Sequence, residues 1–179
     1  MSDRAPARPA APRARTPILA VVLVVSATLV GCQSPAPSSA RSQPREVPTV
    51  AHLDPDLLGA VRRATSDAAA DGVRLQVKSG WRSAEYQDRL LREAISEYGS
   101  AAEAARWVAT AQTSRHVSGE AVDIGPTAAV AWLSEHGSVY GMCQVYDNEP
   151  WHYALRPDAI EDGCPAPYAD PTQDPRMQH

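Results

Sequence analysis

Positive charge is scarce in this chain of 179 residues: 17 Lys and Arg stand against 21 Asp and Glu, for a net charge of −4. A protein that reads nucleic acid through a basic footprint is excluded on that balance. Long apolar runs are also missing. The run from Ile18 to Val30 has 13 residues, short of the ~20 that cross a bilayer as a helix. No internal repeat is present, which excludes a solenoid. Hydrophobic residues make up 44% and charged residues 21%, too apolar for a disordered chain and too polar for a multi-span membrane protein.

Prolines divide the chain. Eight of the 16 fall within residues 1–48, four within 165–175 and four between. The folded unit therefore reads as a single domain over residues 49–164, enough for one modest core. Residues 165–179 read as a disordered tail. Residues 1–31 read as a secretory signal peptide: Arg4, Arg8, Arg13 and Arg15 precede the apolar run, and Gly31-Cys32 follows it. No Arg-Arg pair points to twin-arginine export.

Leu29-Val30-Gly31-Cys32 resembles the bacterial lipobox, in which the cysteine is lipidated and becomes the new N-terminus. A signal anchor left uncleaved is the alternative. On the first reading residues 32–48, rich in Pro and Ser, are a flexible linker behind an anchored Cys32. The mature chain would carry 13 basic and 20 acidic residues, a charge of −7. Lipid and linker, not surface charge, would then hold it to the membrane, outside the cytoplasm. A monomer is expected. Cys143 and Cys164 remain, and two cysteines in an exported chain favour a disulfide. A cysteine metal site is the weaker alternative, because no CxxC pair is present.

Apolar spacing predicts helices over about 53–70, 83–98, 100–111 and 127–136. Alternation predicts strands near Val73–Val77 and Glu120–Ile124, and further ones near Cys143–Tyr146 and Trp151–Leu155. Helices lead and most strands follow without a repeating βαβ pattern. That order argues an α+β fold with N-terminal helices and a small antiparallel sheet.

Chemistry concentrates in Ser79-Gly-Trp-Arg-Ser83, Ser114 to Asp123, and Glu149-Pro-Trp-His152. On a strand, Val122 and Ile124 face one side and Asp123 the other, beside the loop that brings His116 across Gly119. In a regular strand, the His152 ring faces away from Trp151 and Tyr153. Two imidazoles and a carboxylate make an open zinc site with room for a water. Glu149, on the bend at Pro150, can hang beside the metal as general base and acid. Taken singly, each of these residues is more often structural. Only their joint order argues otherwise. Glu120 is expected to be solvated, His136 to sit at a helix C-terminus, His52 and His179 to lie in flexible flanks, and Trp107 and Trp132 to be core.

That joint order resembles the VanY-type zinc D-Ala-D-Ala carboxypeptidase family, with its L,D-carboxypeptidase relatives. The pattern SxHxxGxAxD stands as Ser114, His116, Gly119, Ala121 and Asp123. ExWH stands as Glu149, Trp151 and His152, and SGYRS as Ser79 to Ser83 with Trp81 in place of tyrosine. The resemblance implies Zn²⁺ held by His116, Asp123 and His152, with Glu149 catalytic. It implies Arg82 on the substrate carbonyl or carboxylate, with Gln87 and Ser114 lining the same pocket. Trp81 would enlarge the wall. The implied substrates are peptidoglycan stem peptides losing a terminal D-alanine. L,D cleavage of tetrapeptide stems and a non-catalytic wall-peptide-binding lipoprotein are the alternatives.

Overall fold

The computed structural model describes residues 50–178. The expected signal peptide and linker, with Cys32, lie outside them. Helix α1 (Pro55–Ala70) starts where Asp54 accepts hydrogen bonds from the backbone of Asp56 and Leu57, with Pro55 in the first turn. Both features fit the helix N-terminus. The apolar stripe of Leu57, Ala60, Val61, Ala64 and Ala68 is fully turned inward.

Strands β1 (Gln76–Ser79), β2 (Ala121–Gly125), β3 (Met142–Gln144) and β4 (His152–Leu155) form one antiparallel sheet in the order β1-β2-β4-β3. Helix α5 (Thr127–His136) joins α1 on one face of it. The core lies there, where α1 meets Val122, Ile124, Met142 and Tyr153 of the strands and Trp132 and Leu133 of α5. Trp132 donates its indole N–H to Asp71 at 2.8 Å, so its polar atom is satisfied while the ring is buried. Among the described residues no helix is long and apolar enough to cross a membrane.

Register fixes what the opposite face presents. Asp123 pairs directly with His152 across β2 and β4, and with Ser79 across β1 and β2. The pairing shifts between Val77 and Ser79. This bulge brings Ser79 rather than Lys78 opposite Asp123, re-aiming a side chain beside the site as bulges commonly do.

Helix α2 (Ala84–Tyr98) runs from a Ser83 cap to Gly99 and turns Gln87 and Ala94 inward. Three expectations need correction. The helix expected over 100–111 is only α3 (Ala101–Ala104). The carbonyls of Arg106 and Ala109 accept from the side chains of Asn148 and Gln87 instead, at 2.7 and 2.9 Å. The strand expected from Val73 begins at Gln76, because the Val73 N–H is held by the Ala68 carbonyl at 2.7 Å. Residues 165–178 are no disordered tail. They pack on the domain through a Tyr146–Tyr168 bridge and two 3-10 turns, Pro171–Gln173 and Pro175–Gln178, with Asp170 and Asp174 buried. Each Asp-Pro step opens a turn and caps it with its own carboxylate. Before them, helix α6 (Ala159–Asp162) follows β4, and a Cys143–Cys164 disulfide ties β3 to the segment.

Candidate metal centre

Ser114, His116 and Gly119 belong to the short helix α4 (Arg115–Ser118) and its ends. Gly119 takes φ +79°, and a Cβ there would lie 2.4 Å from the His52 carbonyl oxygen. Only glycine lets this turn touch the start of α1, where its carbonyl accepts from the Asp54 N–H at 2.9 Å. The first and second motifs are also stitched together. The Arg82 N–H donates to the His116 carbonyl at 3.1 Å, and His116 Nδ1 meets the Gly80 carbonyl at 2.8 Å.

A carbonyl can only accept, so Nδ1 of His116 carries the hydrogen and Nε2 of the neutral ring presents a lone pair. That nitrogen lies 3.3 Å from Asp123 Oδ1 and 3.2 Å from His152 Nδ1, and the latter two atoms are 3.2 Å apart. In that neutral form, the one a metal requires, His116 Nε2 and Asp123 Oδ1 meet lone pair to lone pair. Four ligands around a metal with bonds of about 2.0–2.1 Å sit about 3.3 Å from one another. The three donors form one face of such a tetrahedron. Among the described residues they are the group of His, Cys, Asp or Glu whose ligand atoms converge closely enough for a metal. The Gly80 contact supplies the outer hydrogen bond that orients a ligating histidine.

The electrostatics are divided. Burial raises the Asp123 carboxyl, but His116 and His152 beside it outweigh that and hold it well below the usual carboxylate range. Burial pushes the His152 imidazole down, favouring the neutral ring a metal requires. Glu149 behaves oppositely. Burial first, and then the charge of Asp123, push its carboxyl up to about 8, against a smaller opposing pull from Arg82. Two carboxylates in one cleft with pKa values driven apart suit one for holding charge and the other for moving protons.

Arg82 reaches the same place from the loop between β1 and α2. Its NH2 donates to Asp123 Oδ2 at 2.6 Å, its Nε to Ser79 Oγ at 2.8 Å and its NH1 to Gln87 Oε1 at 3.4 Å. Gln87 is itself fixed by the Ala109 carbonyl. Ser114 is buried and makes no capping hydrogen bond with its side chain, which leaves the hydroxyl to the cleft. All seven sequence-predicted residues (Arg82, Gln87, Ser114, His116, Asp123, Glu149 and His152) line one cleft of about 200 Å³.

Some assignments move. Trp107 is half-buried rather than core; it stacks on Tyr98 and lines the cleft. Trp81 packs on His52 with ring centroids 4.6 Å apart and is not among the residues of the cleft wall. Trp151, just ahead of β4, is 41% exposed and reaches the cleft mouth. Glu120 is exposed, as expected. Ser79 and Gly80 belong to a motif the sequence singles out but carry no role of their own in it; sequence reasoning missed Tyr146, whose ring stacks on His152 at 5.2 Å. It also missed Arg115, Pro171 and Met177 on the cleft wall. The repeated Asp-Pro at 170–171 and 174–175 was the available signal that the last segment is ordered.

Comparison with known proteins places these features in a family. The profile described as VanY, D-alanyl-D-alanine carboxypeptidase, matches residues 50–158. A curated D-alanyl-D-alanine carboxypeptidase from Enterococcus faecalis is 30% identical over 153 residues, covering 72% of this chain; the chain spans 57% of that relative's length. Two solved structures are each 28% identical and cover 63% of this chain. One is a mutant of the vancomycin-resistance D,D-pentapeptidase VanY from a VanB-type cassette in complex with Zn(II), with TM-score 0.56 over 80% of that chain. The other is VanYB in complex with D-alanine-D-alanine, with TM-score 0.57 over 78% of that chain.

Proposed function

The chain belongs to the VanY family of D-alanyl-D-alanine carboxypeptidases, and from that premise we propose that it is a zinc exopeptidase removing the terminal D-alanine from peptidoglycan stem peptides. The observation that carries the reading is the triangle of His116, Asp123 and His152 donors with Glu149 in the same cleft. His116 Nε2, Asp123 Oδ1 and His152 Nδ1 would hold the ion. Zinc bound there would polarise the scissile carbonyl and acidify a water.

The remaining work falls to side chains. A Glu149 carboxylate oxygen takes a proton from the attacking water and returns it to the departing amine. Arg82 is tied at Nε and NH2, and its NH1 makes only a long 3.4 Å bond to Gln87, so one NH1 hydrogen is left for substrate. A one-edge contact suits the oxygen of the attacked carbonyl, where negative charge develops, better than a two-point clamp on a carboxylate. The buried Ser114 hydroxyl, free of any capping bond, would take the terminal carboxylate. The lipobox-like Leu29 to Cys32 supports action outside the cytoplasmic membrane, with the chain tethered through a lipidated Cys32.

The test is mass spectrometry of penta- and tetrapeptide stems incubated with zinc-loaded protein, with and without chelator. The expected result is chelator-sensitive loss of one terminal D-alanine, chiefly from the pentapeptide. Glu149→Gln should keep its zinc and lose about 100-fold or more in kcat. A folded, zinc-loaded wild type that releases nothing would refute the hydrolase and favour a binding lipoprotein.

A further inference from the structure

We propose that the segment Asp170–Met177, which lies beyond the family match ending at residue 158, is the specificity wall of the cleft. Pro171 and Met177 close the cleft so that the departing group must be one small residue. The inference rests on the hydrolase reading and concerns what that hydrolase accepts.

Two spaces open from Asp123 and share Trp151. The open one, about 440 Å³, is a mainly apolar groove lined by Lys78, Ile124, Thr127, Val130 and Pro150. The other, about 200 Å³, holds Arg82, Ser114 and Glu149 and is walled by Trp107, Pro171 and Met177. A stem peptide has a long side and a short side about the scissile bond. The open groove can take the long side. The polar compartment is smaller than the roughly 300–1,000 Å³ of a drug-sized pocket, and it matches a single residue with a carboxylate.

Pro171 and Met177, together with Val108 and Ala109, are a partition, because all four line both the cleft and a separate apolar cavity of about 200 Å³ that also holds Leu91 and Ile95. Removing the Met177 side chain would open this partition beside Pro171 and enlarge the space for the departing residue toward the apolar cavity.

The wall is firmly anchored. Tyr168 exchanges backbone hydrogen bonds with Val145 and Asp147 at 2.9 and 2.8 Å, clipping the segment to the loop that leads to Glu149. Asp170 accepts from Arg106 Nε at 2.9 Å, next to Trp107 of the cleft wall. Asp174 is 1% exposed. It accepts from the Arg176 N–H and Nε at 3.1 Å, from Arg176 NH2, and from the Tyr146 hydroxyl at 3.2 Å. A buried carboxylate so fully partnered holds the turn before Met177 in place. Met177 packs in turn against the cluster of Val145, Tyr146 and Ala154.

The experiment compares zinc-loaded full-length wild type with Met177→Ala and Met177→Trp. Substrates are stem peptides ending in D-Ala-D-Ala or in D-Ala-D-Phe. Wild type should prefer the first, and Met177→Ala should cut that preference about 10-fold or more by raising kcat/KM for D-Phe release. Met177→Trp, which narrows the compartment, should sharpen it. A folded Met177→Ala protein whose preference stays within about 2-fold of wild type overturns the inference while the hydrolase stands. Calorimetric titration with free D-alanine and D-phenylalanine reads the same wall without turnover. An inactive wild type that binds D-alanine better, with the gap narrowed in Met177→Ala, would sink the hydrolase and keep the wall. Equal binding of both amino acids by all three proteins would overturn the wall.

Discussion

Glu149→Gln should remove a pH-dependent penalty from the metal-free protein. The Glu149 carboxyl sits at about 8 when folded, against an ordinary 4.5, because burial and Asp123 disfavour its charge. Between those values the folded protein holds a proton that the unfolded chain has released. Wild-type stability therefore falls as pH rises from about 4.5 to 8, and the loss is complete above that window. At about 1.4 kcal/mol per pH unit the span corresponds to about 5 kcal/mol. Water at the cleft mouth reaches the partly solvated Glu149 and screens this to about 3 kcal/mol. Glutamine cannot ionise, so the variant escapes the loss. The assay is denaturant unfolding of both proteins in chelator at pH 5 and pH 9. The variant should gain about 3 kcal/mol on wild type between the two. A gain below 1 kcal/mol would refute the claim that this carboxyl is held neutral by its surroundings.

Zinc added to chelator-treated protein should bind one to one by calorimetry and raise Tm, with about 4 kcal/mol of stabilisation at a thousandfold excess over Kd; Asp123→Asn should abolish both effects. Gly119→Ala forces a side chain into a left-handed turn against the His52 carbonyl and should cost about 2–4 kcal/mol in denaturant unfolding. A loss under 1 kcal/mol would show that the turn can relax. Arg82→Lys keeps the charge but not the fork that spans Ser79, Gln87 and Asp123. It should lower kcat/KM about 100-fold while zinc stoichiometry stays at one; unchanged kinetics would remove Arg82 from the site.

Much of the site was legible because its residues sit at fixed points of local structure. Val122 and Ile124 needed the core, so Asp123 had to face the other way. Gly119 marked a turn that only glycine makes. Ser83 and Gly99 bounded α2 as capping chemistry requires. What escaped was decided by partners far along the chain. The bulge at Lys78 is set by pairing with β2, and no alternation of apolar residues reports it. The stretch after Ala104 has the composition of a helix, yet Asn148 and Gln87 compete successfully for its carbonyls. Prolines at 165–175 suggested mobility, whereas buried Asp170 and Asp174 make that segment part of the cleft.

The direct opposition of Asp123 and His152 across β2 and β4 carries a lesson for how such a protein can change. The two ligands are 29 positions apart in sequence, but their spacing is written in a single rung of the sheet. The intervening stretch supplies α5 and β3 to the core and Glu149 to the cleft, so an edit there reaches the metal only by disturbing that packing or the rung itself. A slip of one residue between the strands is different in kind. It would turn the ligand toward the core and destroy the centre at a stroke. The fold thus tolerates edits that spare this packing and none in its register.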